Sequence, residues 1–318
     1  MYPSATPTPY KVFYIVVPTI SIVGNASVVY VTILSKNLRS HCSILIALLS
    51  LADIVLVASN IISTIAYNVL RSDSISHTAC VYLQLPSIFA ACLSPLLLLS
   101  VATDRLFSLM DFYRPVVNSY PKLYMAAQLL PGCSFGAVMD VWAFLYRVSD
   151  EQGICTLATP MKGESYQLYF KLLMATSVLV ILCYSCFIFL LKRIRMRSAK
   201  VKSMYRSLII ISLTVVFGWF STSIIVNLSS AFQLNVELYH LHLLAGSFAN
   251  FTISINFFVY YVVSKEYREI FDKLLGIGLM KEKISCKGSR LPTQPVVPLA
   301  TGLVRNTKPI SVAQIGHR

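Results

Sequence analysis

The residues best suited to chemistry in this sequence are polar side chains placed singly within long apolar stretches. Asp53 and Asp140 each lie inside such a stretch, and Asp104 is followed directly by Arg105 at the end of another. Polar groups in the hydrocarbon of a membrane are costly, and those found there usually serve function. An arginine at a helix end could also simply extend its guanidinium to the membrane surface, and for an arginine alone that interpretation would be favoured.

Catalytic groups are less evident. An intramembrane hydrolase or protease needs paired His, paired Asp or Ser–Lys side chains at one depth in the membrane. The histidines that come nearest to such a position are His240 and His242, and they lie at the edge of an apolar stretch. Cys183 and Cys186 form a Cys-x-x-Cys pair, but they lie within an apolar stretch, where a cysteine is most often a small core residue, and no second pair completes a zinc site. We therefore expect a protein that is not an enzyme and that uses no cofactor.

The apolar stretches themselves place the chain in a bilayer. Hydrophobic residues make up 56% of the 318 positions and charged residues 13%, about half the charged share of an average soluble domain. A helix that crosses the hydrocarbon needs about 20 apolar residues. The blocks that reach this length are 12–34, 43–66, 80–101, 123–146, 168–191, 208–228 and 238–263. The sequence thus predicts an all-α bundle of seven transmembrane helices over 12–263.

The distribution of basic residues predicts the orientation. If the C-terminus is inside, 22 of the 27 Lys and Arg residues fall on the cytoplasmic side and five on the other. Cytoplasmic loops of membrane proteins carry such an excess. The net charge of +14 therefore reflects topology, and we expect no nucleic-acid partner. We expect the protein to lie in the plasma membrane, with its short N-terminus, residues 1–11, on the extracellular side.

Two further segments follow the last span. Residues 264–275 place Tyr267 and Phe271 on one face at helical spacing, which predicts an amphipathic helix on the inner membrane surface. Residues 276–318 are rich in Lys, Pro, Gly, Ser and Thr and are predicted to be a disordered cytoplasmic tail. Within the tail, Cys286 is a candidate for palmitoylation or an unmodified thiol.

Four short motifs occur in the order and in the helices where a known receptor family has them. They are Gly24-Asn25, Leu51-Ala52-Asp53, Asp104-Arg105 and the segment from Asn256 to Tyr260. The set resembles the rhodopsin-like (class A) G-protein-coupled receptors. Leu38-Arg39-Ser40 and Thr103-Asp104-Arg105-Leu106 narrow the resemblance to nematode chemoreceptors of serpentine receptor class sx.

The resemblance implies a chemosensory receptor that converts binding of an extracellular small molecule or short peptide into activation of a heterotrimeric G protein. A neuropeptide or neuromodulator receptor of the same fold is the alternative within this class. A membrane transporter or channel is the alternative of another class, and it would predict repeated halves and several buried charges along a path.

Individual roles follow from the resemblance. Cys80 and Cys155 would form an outer disulfide, and they are the only cysteines predicted on the oxidising side. Asp104 would hold Arg105 at rest and release it towards the G protein on activation. The residues assigned to this coupling switch are Asp104, Arg105, Tyr184, Asn256 and Tyr260.

A polar core is also implied by the resemblance. Its members are Asn25, Asp53, Ser94 and Asn256. In the family the acid often joins a network that holds sodium, but Ile253 stands where a serine is common. Sodium and a network of water and protein alone are the two alternatives.

Several positions depart from the family pattern. Ser221 replaces the proline expected in the sixth span, Gly218 precedes Trp219, and Phe257 replaces the proline of the seventh span. Val201 and Lys202 stand where many members carry an acid that pairs with the arginine of the switch. We therefore expect a weaker resting interaction and appreciable signalling without ligand.

Pocket residues exclude some ligands. Ser87 stands where amine receptors carry an acid, and Asn250 where opsins carry the retinal-linking lysine. Trp219, Thr222 and Ser223 are expected to line the pocket. Asp140 could meet a cationic ligand, or it could be a structural acid or a group at the lipid edge.

Overall fold

The structure is a computed structural model that describes residues 8–38, 40–70, 75–148, 151–193, 199–232 and 238–278. The chain divides into two compact units, Met1–Ile277 and Gly278–Arg318. Of the second unit only Gly278 is described, so the expectations for the tail and for Cys286 lie outside the described residues. The side chains of Val201 and Lys202 lie outside them as well.

The described residues form nine α-helices, one short 3-10 helix and two short strands. The helices are α1 Thr8–Leu34, α2 His41–Leu70, α3 His77–Phe107, α4 Tyr113–Ser119, α5 Pro121–Leu145, α6 Glu164–Arg193, α7 Ala199–Ala231, α8 Leu238–Val263 and α9 Lys265–Leu274. The 3-10 helix is Lys36–Leu38, and the strands are β1 Ile75–Ser76 and β2 Gln152–Gly153. Within the described residues seven helices are long and apolar enough to cross a membrane, which confirms the predicted seven-helix bundle.

Helix α3 lies at the centre of the bundle. It packs against α2, α5 and α6, and α1 closes the ring by packing against both α2 and α8. Small residues allow some of these helices to approach closely: a Cβ atom at Gly136 of α5 would lie 2.7 Å from the ring of Phe89 on α3. Large apolar side chains on the outer faces of the helices, such as Val23 and Phe217, are exposed and suit contact with lipid.

The helix bounds differ from the sequence prediction where helices leave the hydrocarbon. Helix α7 begins at Ala199, before the apolar block at 208, because hydropathy marks only the part of a helix that lies in lipid. Helix α4 was not predicted. The amphipathic helix is present as α9, where the Ser264 hydroxyl accepts a hydrogen bond from the Tyr267 amide and Phe271 is buried.

Helices α7 and α8 approach each other closely at Gly218. A Cβ atom at this position would lie 2.4 Å from Thr252 Oγ1 and 3.1 Å from the carbonyl oxygen of Phe248. The backbone oxygen cannot move away without displacing α8. Gly218 therefore has a packing role.

We predict that Gly218→Ala destabilises the receptor by about 1–3 kcal/mol, the usual cost of forcing a methyl group into a packed interior. The measurement is the thermal unfolding midpoint of the purified protein. Gly153→Ala is the matched control, because no atom lies within 4 Å of the Cβ position there. Equal midpoints for the two variants would contradict this close approach.

Candidate functional site

The two ends of the bundle differ in chemistry, and α3 connects them. Cys80 lies near the start of α3, and we call that end the disulfide end. Asp104 and Arg105 lie near the last turn of α3, and we call that end the Asp-Arg end.

At the Asp-Arg end, Asp104 is fully buried and accepts hydrogen bonds from two tyrosines. Its Oδ1 atom lies 2.9 Å from the hydroxyl of Tyr113 on α4 and 2.9 Å from that of Tyr124 on α5. Its Oδ2 atom lies 3.7 Å from Nη2 of Arg105, whose side chain is only 13% exposed. The acid therefore ties α3 to two other helices in addition to its arginine neighbour.

The two tyrosines are themselves well fixed. Their rings pack edge to face, with centroids 5.9 Å apart, and Gln128 donates to the Tyr124 hydroxyl at 3.1 Å. Burial, followed by the charge of Asp104, raises the pKa of Tyr113 above its usual value, so its hydroxyl stays protonated and can donate. Neither tyrosine was predicted from the sequence.

The two inner tyrosines of the predicted switch point to different partners. The Tyr184 hydroxyl on α6 donates to Ser212 on α7 at 2.6 Å. Tyr260 is buried near the end of α8, and its ring packs against Tyr267 of α9 with centroids 4.9 Å apart. In this structure Tyr184 thus links α6 to α7, whereas Tyr260 supports the docking of α9.

The residues assigned to the polar core fall into two hydrogen-bonded groups. Asp53 on α2 is fully buried and accepts from Ser94 on α3 at 2.9 Å and from Asn256 on α8 at 3.3 Å. Asn25 on α1 instead donates to the carbonyl oxygen of Ile253 at 3.3 Å. The hydrogen bonds therefore join α2, α3 and α8 through Asp53, and α1 to α8 through Asn25.

The oxygen atoms of this core suit a hard cation or ordered water. The side-chain oxygens of Asn25 and Asn256 are buried without a hydrogen-bond partner among the described residues. The carboxylate of Asp53, the hydroxyl of Ser94 and the amide oxygen of Asn256 are oxygen ligands of the kind that hard cations prefer. Ordered water would satisfy the same atoms.

On α7, two adjacent residues of the predicted pocket have different partners. Thr222 donates to the carbonyl oxygen of Ala245 on α8 at 2.8 Å, whereas Ser223 donates to Trp219 within its own helix. The indole N–H of Trp219 is buried and has no partner among the described residues. Of these three side chains, Trp219 has the donor left to bind a ligand or water.

The other predicted pocket residues lie on α3, α5 and α8. Asn250 accepts from Asn60 of α2 at 2.9 Å, and Ser87 donates to the carbonyl oxygen of Val55 at 3.4 Å. Oδ1 of Asp140 is buried with no hydrogen-bond partner among the described residues.

One cavity of about 200 Å³ lies elsewhere, between α3, α5 and α6, and is lined by apolar side chains that include Pro95, Phe135 and Leu173. None of the predicted pocket residues lines it.

At the disulfide end, Cys80 and Cys155 form the disulfide that the resemblance implies, with their Cα atoms 5.5 Å apart. Strands β1 and β2 pair antiparallel beside it. Lys162 forms an ion pair with Glu151, and its hydrogen bond lowers the pKa of that carboxyl. These contacts fasten the segment after α5 to the start of α3.

Comparison with protein-family models matches residues 18–275 to the family described as serpentine type seven-transmembrane (7TM) GPCR chemoreceptor Srsx. Comparison with curated proteins finds no match. The matched range includes the Asp-Arg end, the polar core and the disulfide, and it extends to the end of α9. The chain is thus a multi-pass membrane protein that belongs to the Srsx family of nematode-type chemoreceptors among the G-protein-coupled receptors.

Proposed function

We propose that this chain is a chemosensory receptor of the plasma membrane, which converts binding of an extracellular small molecule or short peptide into nucleotide exchange on a heterotrimeric G protein. The observation that carries the proposal is the buried Asp104, held by two tyrosine hydroxyls and lying 3.7 Å from Arg105. A buried acid beside a mostly buried arginine is stable only while its partners stay in place. Such an arrangement can be opened by a small movement of the helices.

The proposed orientation places the Asp-Arg end in the cytoplasm. Lys192 and Arg193 end α6 at this side, and α9 adds Lys265 and Arg268. Basic residues are enriched on the cytoplasmic side of membrane proteins. The disulfide would then lie in an oxidising compartment, where disulfides persist.

In the proposed mechanism ligand binding shifts an equilibrium between two arrangements of the bundle. At rest Asp104 holds Arg105, and Tyr184 is bound to Ser212. On activation Arg105 leaves Asp104, while Tyr184, Asn256 and Tyr260 take new partners. Asp53 and Ser94 connect this change to the middle of the bundle, with Asn25 holding α1 to α8.

The test is nucleotide exchange by a purified G protein in the presence of the receptor, reconstituted in lipid nanodiscs and exposed to a panel of small molecules and short peptides. Agonist-dependent exchange that is absent from receptor-free nanodiscs supports the proposal. Transport of a panel compound into liposomes, without any exchange, would contradict it and favour a transporter.

The proposed ligand pocket lies between α3, α5, α7 and α8. The buried indole N–H of Trp219, which has no hydrogen-bond partner in the described part of the chain, supports this position. Its proposed residues are Ser87, Asp140, Trp219, Thr222, Ser223 and Asn250. Asp140 is the member that bears on ligand charge, because its buried Oδ1 has no hydrogen-bond partner among the described residues.

We predict that Asp140→Asn weakens the response to cationic panel compounds by about 10- to 100-fold, the loss expected for a hydrogen bond to a charged group. The measurement is the agonist concentration that gives half-maximal exchange, at equal surface expression. Asp111→Asn is the control, because Asp111 is exposed outside the spans. An unchanged response would assign Asp140 a structural role or a place at the lipid edge.

A further inference from the structure

A buried histidine joins α3 to the segment that follows α5. His77 is the first residue of α3 and is 3% exposed. Its backbone N–H donates to the carbonyl oxygen of Glu151 at 2.8 Å, next to the β1–β2 pair. The imidazole ring therefore lies inside the junction between α3 and this segment.

Both ring nitrogens of His77 have hydrogen-bond partners in that junction. The amide N–H of Val148 donates to Nδ1 at 3.2 Å, and Nε2 lies 3.3 Å from the carbonyl oxygen of Thr159. A carbonyl oxygen can only accept, so Nε2 must carry the hydrogen, while Nδ1 must be unprotonated to accept from Val148. The neutral imidazole with hydrogen on Nε2 satisfies both contacts. We call the three residues His77, Val148 and Thr159 the histidine clasp.

Protonation of the ring is incompatible with one of these contacts. An imidazolium carries hydrogen on both nitrogens, so the Nδ1–H group would face the N–H group of Val148. Two donors repel each other, and the Val148 amide would lose its acceptor. The hydrogen bond to Thr159 can persist, because Nε2 still carries its hydrogen. Protonation therefore breaks the hydrogen bond from Val148 first.

We propose that the histidine clasp makes the attachment of residues 146–148 and 151–163 to α3 sensitive to acid. The neutral ring holds the segment, and protonation releases Val148. Histidine is the side chain whose ordinary pKa, about 6.5, lies in the physiological range. Because the neutral ring is the bound form, the stabilisation by the clasp is complete at pH values above the ordinary pKa and declines as the pH falls below it.

Two charged side chains of the described residues act on the His77 ring. They are Glu151 and Lys162, and they are paired with each other. The hydrogen bond from Lys162 lowers the pKa of Glu151, so this carboxylate stays charged as mild acid is added. The Cys80–Cys155 disulfide keeps the segment tethered, so release of the clasp loosens it locally.

The inference extends beyond the proposed function and does not depend on it, since a pH-sensitive attachment needs neither a ligand nor a G protein. In the proposed orientation the histidine clasp responds to the pH of the extracellular medium. The loosened segment lies beside the disulfide that joins it to α3, at the end through which an extracellular ligand would enter.

The first experiment compares thermal unfolding of the purified full-length receptor in nanodiscs at about pH 7.5 and about pH 5.5, on either side of the ordinary histidine pKa. We expect the wild-type midpoint to fall by about 2–4 °C more than that of His77→Asn. Asparagine does not titrate, and its side-chain oxygen can accept from Val148 as Nδ1 does. The matched control is His317→Asn, which removes a histidine far from this segment in the sequence.

His317→Asn should keep the wild-type dependence on pH. Equal dependence on pH in wild type and His77→Asn would overturn the proposal, and so would loss of that dependence in His317→Asn.

The second experiment needs no variant and covers the case in which His77→Asn fails to fold. Hydrogen exchange of the wild-type Val148 amide, corrected for the intrinsic effect of pH, should become about tenfold faster at the acidic pH, as for the loss of one hydrogen bond. Amides in the middle of α3 serve as the internal reference. Unchanged protection of Val148 would overturn the proposal.

Discussion

Replacing both Cys80 and Cys155 by serine should destabilise the receptor by about 4 kcal/mol, the value expected when a cross-link closes a loop of this length. The two cysteines are 75 residues apart in sequence. The cross-link fastens the segment after α5 to α3, where the histidine clasp and the β1–β2 pair depend on the same alignment. Those weaker contacts would have to hold the segment alone.

The measurement is thermal unfolding of the double variant, together with the fraction of the protein that reaches the cell surface. Cys186→Ser is the matched control, because Cys186 is an exposed free cysteine of α6. It should behave like the wild type. A double variant with an unchanged midpoint would show that the segment stays in place without the cross-link.

The second large effect concerns the two hydroxyls that hold Asp104. The double replacement Tyr113→Phe and Tyr124→Phe should raise ligand-independent nucleotide exchange about tenfold or more. A hydrogen bond to a charged group contributes about 1.5–3 kcal/mol, and about 1.4 kcal/mol corresponds to a factor of ten in an equilibrium. Without its tyrosine donors Asp104 is anchored less firmly, so the resting arrangement loses stability relative to the active one.

The comparison requires purified receptor and G protein without any added ligand. Tyr120→Phe is the control, because Tyr120 lies between α4 and α5 and is 64% exposed. Each single replacement should give an intermediate rate, since both hydroxyls bind the same oxygen atom. A fall in basal exchange, with the thermal midpoint unchanged, would contradict this role for the tyrosines.

That result also bears on the expectation that this receptor signals without ligand. The expectation came from Val201 and Lys202, which stand where relatives carry an acid. The tyrosine contacts stabilise the other side of the switch, at α4 and α5, and act on Asp104 rather than on Arg105. Basal signalling of the wild-type receptor therefore stays a prediction, and the double variant should exceed it.

Hydropathy was sufficient to predict the membrane helices, because crossing lipid requires long apolar segments whatever their packing. It was insufficient for α4, whose seven residues are too few to cross a bilayer. It also missed the start of α7, where the helix continues beyond its apolar block.

The candidate site was predicted less completely, because its hydrogen bonds join residues far apart in sequence. Asp104 was identified by type and position, but its partner Tyr124 is separated from it by a turn and a helix. Thr222 and Ser223 look equivalent in sequence, yet only Thr222 donates across to α8, since neighbouring residues of a helix point in different directions. Partner choice of this kind depends on packing, which a single sequence does not contain.

The contact between Gly218 and Thr252 has a consequence for the history of the family. The space between α7 and α8 at this level admits no added methyl group beside the threonine. A lineage that acquired a larger residue at 218 would need a smaller one at 252, or a shifted α8, to keep its receptors folded. Substitutions at these two positions should therefore be correlated among descendants of a common ancestral receptor.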